Sequence, residues 1–223
     1  MLTYPVGTLN PKVGGIPRDG LIGEWLFSGN ANDTSGNGND GTVSGATLTT
    51  DRHGASNSAY LFASAAIDRI TLNSALNDQL IMTYSWWTYF NTLNAAQWWF
   101  SNGGVTTKLY FAYLATSASP TPDTIRHNSG DGVTGMSALD DFITTGAWFH
   151  YILSRNGVNL SLYINNITFG SQVIGGTTLS DTQYFGIRNN QGIFQDGILG
   201  KLDDIRVYNR VLTANERTIL YNE

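Results

Sequence analysis

The segment Trp148–Asn165 restricts the possible folds more than any other part of the sequence. Two strand-like runs, Trp148–Arg155 and Val158–Asn165, flank the dipeptide Asn156-Gly157. Asn-Gly favours the two positive φ angles of a type I′ turn, so we expect a β-hairpin here. In the second run, Leu and Ile residues alternate with more polar ones, which predicts one buried and one exposed face.

Further strand-like runs follow one another along the chain. The longest, Ile81–Phe90, is rich in aromatic and β-branched residues and predicts a central strand. The others are Ile22–Phe27, Ile67–Leu72, Trp98–Phe100, Lys108–Leu114, Ile125–His127, Ile167–Ile174 and Leu199–Tyr208. Thr213 and Glu216 have the spacing of a capping box, which predicts one short C-terminal helix. This pattern indicates an all-β, antiparallel sandwich.

The first nineteen residues differ from the rest of the chain. Pro5, Pro11 and Pro17 lie among glycines there. Prolines at this spacing forbid a helix and favour an extended arm. The arm is either a frayed terminus or a segment that docks on another subunit. We therefore divide the chain into an N-terminal arm, residues 1–19, and one domain, residues 20–223.

Composition excludes several classes of protein. Charged residues make up only 13% of the sequence, about half of the usual ~25%. The net charge of −5 argues against a nucleic-acid partner. An apolar content of 41% argues against disorder. The sequence has no Cys, which rules out disulfides and thiolate metal sites.

Membrane and export signals are also lacking in the sequence. No basic segment followed by an apolar run precedes the domain, so we expect no secretory signal peptide. No apolar run approaches the roughly 18 residues of a membrane-spanning helix. We expect no membrane insertion.

Characteristic motifs are spread over most of the chain, at Gly20–Thr42, Gly45–Gly54, Ser58–Phe62 and Gly200–Thr213, together with Trp87 and Trp148–His150. These segments resemble the LamG-like domains of the concanavalin A-like lectin and glucanase superfamily. The resemblance covers residues 20–222 and implies a two-sheet jelly-roll sandwich. It does not assign a function, because lectins, glycosidases, adhesion modules and structural domains share this fold.

The loop Asp33–Asp40 (DTSGNGND) holds oxygen donors among glycines, which suits a hard cation such as Ca²⁺. The family resemblance implies a structural calcium ion held by this loop and the closing strand. The matching residues are Asp33 and Asp203, with Asn37 or backbone carbonyls nearby. The alternative is an Asx turn, in which Asp33 caps backbone amides and no ion is present.

Carboxyl groups that could catalyse glycoside hydrolysis are scarce. That reaction normally needs two carboxyl groups flanking the sugar bond, and the chain has only three glutamates, Glu24, Glu216 and Glu223. Glu216 is assigned to the helix cap, and Glu24 has no acidic neighbour two residues away. Asp203-Asp204 are adjacent on a strand, so we expect their side chains on opposite faces. We predict that the protein is not an enzyme.

Adjacent tryptophans form two pairs, Trp86-Trp87 and Trp98-Trp99. In a strand, one ring of each pair faces the core and the other faces outward. An outward indole can stack on a sugar, pack against another subunit, or lie under loops of its own chain. We take Trp98 and Trp99 as candidate glycan- or partner-binding residues. The loops Asn91–Gln97 and Thr116–Asp123 are candidate rims.

These features predict a non-enzymatic, surface-exposed structural or binding protein. We expect a phage virion decoration or a fibre/tail module, made in the host cytoplasm and displayed on the virion surface. Its partners would be other virion proteins or further copies of itself, and a host-surface glycan is a candidate ligand. The alternative is a bacterial extracellular or cell-surface carbohydrate-binding or adhesion module. A glycoside hydrolase is the second alternative.

Overall fold

The computed structural model describes residues 15–64, 66–74, 76, 80–93, 96–102, 109–114, 124–129, 133–137, 142–173, 183–190 and 192–223. In chain order the strands are β1 (Leu21–Trp25), β2 (Gly41–Ser44), β3 (Thr47–Thr49), β4 (Ala59–Phe62), β5 (Arg69–Leu72), β6 (Ile81–Phe90), β7 (Gln97–Asn102), β8 (Leu109–Leu114), β9 (Thr124–Ser129), β10 (Val133–Ser137), β11 (Trp148–Asn156), β12 (Asn159–Ile164), β13 (Ile167–Val173), β14 (Gln183–Phe185), β15 (Arg188–Asn190), β16 (Ile193–Gln195) and β17 (Gly200–Tyr208). Helix α1 is Ala214–Tyr221.

The strands form two large antiparallel sheets. Sheet A runs in the order β13-β12-β11-β6-β17-β4-β3, and β1 pairs with the second half of β17. Sheet B runs in the order β10-β9-β8-β7-β14-β5-β2. Strands β15 and β16 form a separate hairpin. The predicted antiparallel two-sheet sandwich with one short C-terminal helix is confirmed.

Alternate residues of the strands build the core between the sheets. Along β6, the even-numbered residues Met82, Tyr84, Trp86 and Phe90 are buried in this core. Trp86 packs edge-on against Phe100 of sheet B, with ring centroids 4.9 Å apart. The odd-numbered residues of β6 therefore lie on the outer face of sheet A.

Helix α1 covers part of that outer face. Leu212 and Leu220 pack with Leu21, Ile152 and Tyr208 in a second apolar cluster. The predicted capping box is confirmed: Oγ1 of Thr213 accepts a hydrogen bond from the amide of Glu216, whose carboxylate accepts one from the Thr213 amide at 2.8 Å. No helix in the described part of the chain is long and apolar enough to cross a membrane.

The hairpin between β11 and β12 differs from the sequence prediction in its turn. Asn156 remains in β11, where it pairs with Ile81 and Asn159. The first turn is therefore Gly157-Val158, and only Gly157 has a positive φ, as in a type II′ turn. Both positive φ angles of a type I′ turn occur instead at Asn165 and Asn166, at 50° and 62°.

The end of the predicted N-terminal arm lies on the domain itself. Ile16 packs against the second apolar cluster, and the carbonyl of Pro17 accepts a hydrogen bond from the Tyr208 hydroxyl at 3.2 Å. Arg18 donates to the Glu24 carboxylate at 2.7 Å. Residues 1–14, on which the expectation of docking on another subunit depends, lie outside the described residues.

Candidate functional site

The carboxylate of Asp33 organises its own loop. Oδ1 accepts hydrogen bonds from the amides of Glu24 (2.9 Å) and Ser35 (2.8 Å), and Oδ2 accepts one from the amide of Asn39 (2.9 Å). Burial would raise the pKa of Asp33, but the hydrogen bonds outweigh it and hold the pKa below its usual range. This is the arrangement of the Asx-turn alternative.

Each of the three predicted calcium ligands has a partner within the protein. Both oxygens of Asp33 already bind amides, and the side-chain nitrogen of Asn37 donates to the carbonyl of Leu21 at 3.2 Å. Asp203 is bound by the Arg52 cation at 2.8 Å. Among the described residues, no group of three or more His, Asp or Glu side chains could hold a metal ion. The calcium ion stays a prediction from the family resemblance, and the amide contacts of Asp33 favour the Asx-turn alternative, in which no ion is present.

The carboxylates of Asp203 and Asp204 bind the same arginine, whereas the sequence predicts that they lie on opposite faces of the strand. Nη1 of Arg52 lies 2.8 Å from Oδ2 of Asp203 and 2.5 Å from Oδ2 of Asp204. A β-bulge interrupts the pairing of β17 between Asp203 and Arg206, and Asp204 has a φ of 42°. The bulge breaks the strand alternation, so both side chains reach one guanidinium. Burial, reinforced by the charge of Asp204, raises the pKa of Asp203 to about 7.

Aromatic rings enclose this charged group. The guanidinium of Arg52 lies 4.8 Å from the ring centroid of Trp87. Trp87 stacks on His150 at 4.8 Å and on Tyr221 of α1 at 5.9 Å. Burial, with the nearby arginine charges, lowers the pKa of His150 well below its usual value, and Nε2 lies 2.8 Å from the Ser85 hydroxyl. The group is an internal polar layer between sheet A and its covering segments.

Glutamate side chains are also bound within the protein. Arg206 donates to Glu24 at 2.9 Å and to Glu223 at 2.7 and 2.6 Å. Burial would raise the pKa of Glu24, but its hydrogen bonds with Arg18 and Arg206 hold the pKa below the usual range. In the described part of the chain, every Asp and Glu side chain has an internal hydrogen bond or ion pair.

Trp98 and Trp99 both lie inside the protein. Trp99 is fully buried in the core, and Trp98 is only 6% exposed. A bulge between Trp98 and Phe100 breaks the pairing of β7 with β8. The guanidinium of Arg188 lies 5.0 Å above the Trp98 ring, so the chain covers its own outward indole. The structure therefore offers no exposed ring of Trp98 or Trp99 on which a ligand could stack.

A different set of side chains lies open on the outer face of sheet A. Pairing places Trp148 beside Tyr89, Tyr89 beside Lys201, Lys201 beside Leu61, and Leu61 beside Thr47. This row, which we call the surface row, crosses β11, β6, β17, β4 and β3. At a strand spacing of about 4.8 Å, it extends over roughly 19 Å.

The surface row is accessible to solvent, whereas the neighbouring row of residues on the same face of sheet A is covered by other parts of the chain. Trp148, Tyr89, Lys201 and Leu61 are partly exposed and Thr47 is exposed. Of the six tryptophans in the chain, the other five are buried. The rings of Trp148 and Tyr89 have centroids 5.6 Å apart at 60°. The ammonium of Lys201 lies 5.2 Å from the Tyr89 centroid and 6.0 Å from that of Trp148.

Sequence reasoning missed the surface row, although one signal pointed to it. Trp148 has the same parity along β11 as the polar residues His150 and Ser154, which places it on the outer face. The partners of Trp148 depend on strand register, which the sequence did not supply. Parts of both candidate rims, residues 94–95 and 116–123, lie outside the described residues.

Comparison with known proteins identifies the fold independently. The sequence profile of the concanavalin A-like lectin/glucanases superfamily matches residues 63–216, more than half of the chain. No curated protein sequence matches the chain.

Solved structures with a similar fold come from several kinds of protein. Domain 4 of an extracellular arabinanase from Geobacillus stearothermophilus, solved in complex with arabinotriose, has a TM-score of 0.70 and 19% identity over 90% of this chain and 98% of that domain. The binding domain of botulinum neurotoxin serotype D has a TM-score of 0.68 and 17% identity over 92% of this chain and 52% of that domain. A heptameric pentraxin from Limulus polyphemus has a TM-score of 0.56 and 16% identity over 68% of this chain and 75% of its own.

Proposed function

We propose that this chain, which belongs to the concanavalin A-like lectin/glucanases superfamily, is a non-catalytic saccharide-binding module that uses the surface row. The observation that carries the proposal is the partly exposed ring pair of Trp148 and Tyr89. Whether the module is displayed on a virion or on a bacterial surface stays a prediction, as do its protein partners.

The ring pair has the chemistry that a sugar requires. A pyranose or furanose presents an apolar C–H face, which packs on an aromatic ring, and hydroxyls, which remain in water or bind polar groups. Aromatic rings supply large apolar area at fixed positions. Their location on a regular strand pair, and not on a loop, keeps their mutual geometry fixed.

Binding without catalysis is supported by the state of the carboxyl groups. A glycosidase keeps one protonated and one ionised carboxyl beside the sugar bond. Here Glu24 has a lowered pKa and is paired with Arg206, and Glu223 is bound to the same guanidinium. The residues of the surface row itself are aromatic, aliphatic, hydroxyl-bearing and basic, with no carboxyl group among them.

The structural neighbours support a binding role by analogy. The arabinanase domain was solved with a bound arabino-oligosaccharide, and the neurotoxin segment is a binding domain. At 19% and 17% identity these likenesses show the fold alone. The saccharide-binding proposal therefore depends on the surface row of this chain.

A glycan array with matched variants tests the proposal. Trp148→Ala should abolish binding of any saccharide that the unmodified protein binds. Phe194→Ala is the control, because Phe194 forms a similar pair with Tyr184 at 5.3 Å on the other side of the protein. Equal binding by both variants, or no binding to any saccharide by the unmodified protein, would overturn the proposal.

A further inference from the structure

We propose that the surface row selects a saccharide that carries a carboxylate or a sulfate group. The inference rests on the proposed function and names the ligand class of the same site. The feature that carries it is the ammonium of Lys201, which lies between the ring pair and Leu61 in the row.

Lys201 is a cation without a carboxylate partner in the described part of the chain. Its ammonium has one hydrogen bond, to the carbonyl of Thr50 at 3.4 Å. An ammonium has three donors, so most of its capacity remains available. By contrast, the Arg52 guanidinium over the same sheet face is neutralised by two aspartates at 2.8 and 2.5 Å.

The position of the ammonium suits an acidic sugar. Lys201 lies one strand away from Tyr89 and two from Trp148, and each step is about 4.8 Å. A sugar ring stacked on Trp148 or Tyr89 can therefore direct an acidic substituent, or the acidic group of its neighbour, at the ammonium. The contact would be a charge-assisted hydrogen bond, which is among the stronger polar interactions in proteins.

A neutral saccharide fits the same position less well. Covering the row would remove water from the Lys201 ammonium without supplying an opposite charge. Desolvating an unpaired charge is costly. The row therefore discriminates against neutral sugars as well as attracting acidic ones.

The experiment is an array of neutral, uronate-containing, sialylated and sulfated glycans, followed by titration of the strongest binder. We expect binding to acidic glycans, with loss of about tenfold or more in affinity for Lys201→Gln and retention for Lys201→Arg.

Arg69→Gln is the control, because it removes a cation that lies 4.2 Å from the Phe194 ring and lowers the net charge equally. Binding should weaken as salt is raised. Comparison of the uronate-containing, sialylated and sulfated glycans shows which acidic group the protein recognises.

The outcomes separate the two proposals. If neutral glycans bind as well as acidic ones, and only Trp148→Ala impairs binding, the acidic ligand class is wrong and the saccharide-binding function stands. If Lys201→Gln and Arg69→Gln weaken binding equally, general charge and not Lys201 is responsible, and the inference fails. If no glycan of any class binds, the proposed function itself is overturned.

Discussion

Trp148 lies beside Tyr89 on neighbouring strands, with ring centroids 5.6 Å apart and planes inclined by 60°. The next pair on the same face of these two strands, His150 and Trp87, is buried under Tyr221 and Arg52. Helix α1 and the Arg52 segment therefore cover the polar layer but leave the surface row open. The same sheet face carries an internal charge cluster at one position and an accessible aromatic surface at the next.

The buried tryptophans of β7 should matter for stability and not for binding. Trp99→Ala removes a fully buried indole and should lower the free energy of unfolding by about 3–5 kcal/mol. Trp98→Phe keeps an aromatic ring beneath Arg188 and should leave saccharide binding unchanged. Urea unfolding and titration of the same saccharide measure the two effects. Loss of binding by a well-folded Trp98→Phe variant would show that the binding site lies on β7 and not on the surface row.

Removal of the Arg52 cation should be strongly destabilising. Arg52→Met leaves Asp203 and Asp204 buried, at 2% and 11% side-chain exposure, without a counter-charge. Breaking such a buried pair costs about 3–5 kcal/mol. Urea unfolding at pH 8, above the pKa of about 7 of Asp203, measures the loss.

The matched control for Arg52 is an ion pair nearer the surface. The side chains of Arg188 and Asp196 are 27% and 36% exposed, so Asp196→Asn should cost less than about 1 kcal/mol. If Arg52→Met costs no more than this control, the buried cluster contributes little to stability.

Asp203 and His150 should give opposite pH dependences. Burial raises the pKa of Asp203 to about 7 in the folded protein, whereas in the unfolded chain the pKa is the usual 3.8. This group therefore makes stability fall as pH rises between these values. The folded protein holds His150 neutral, whereas the unfolded chain protonates it below 6.5, so this group makes stability rise with pH up to about that value. Between roughly pH 4 and 6.5 the two effects oppose each other.

Single variants should separate these two contributions. Asp203→Asn should show a free energy of unfolding that rises with pH from 5 to 6.5, by up to about 1.4 kcal/mol per pH unit. His150→Gln should show one that falls over the same range. Urea unfolding at closely spaced pH values measures both slopes. Parallel slopes in the two variants would show that these groups do not titrate as the structure implies.

Chelation should not destabilise the protein if the Asp33 loop is held by hydrogen bonds alone. A calcium ion present at a hundred times its Kd would add about 2.7 kcal/mol, or roughly 5–10 °C in Tm for a domain of this size. We expect EDTA to leave Tm unchanged and Asp33→Ala to cost about 2 kcal/mol through its lost amide contacts. A fall in Tm with EDTA that added calcium reverses would contradict this assignment.

Long elements could be predicted from the sequence because their own residues determine them. Ile81–Phe90 was predicted with the bounds that β6 has, since nine of its ten residues are apolar, aromatic or β-branched. The alternation of Leu160, Leu162 and Ile164 correctly identified the buried face of β12. The cap at Thr213 and Glu216 was equally local. The short strands β2, β3, β4, β14, β15 and β16, of three or four residues each, were missed because such lengths show little periodicity.

The candidate site depended on features that a strand pattern does not contain. The bulge at Asp204 placed two adjacent aspartates on one arginine, although strand alternation predicts opposite faces. Trp98 faces outward as the pattern requires, but Arg188, distant in sequence, covers it. The surface row arises from the register of five strands, so Trp148 and Lys201 were brought together only by the fold.

The most direct test of the surface row is the indole spectrum of the ¹⁵N-labelled protein during titration with a saccharide from the array. The six tryptophans give six indole N–H signals. The signal that is missing from the spectrum of the Trp148→Phe variant belongs to Trp148, the one partly exposed tryptophan. The surface row predicts that the Trp148 signal shifts progressively with saccharide while the five buried indoles change little. A bound saccharide that leaves the Trp148 signal in place and shifts those of Trp98 or Trp99 would contradict it.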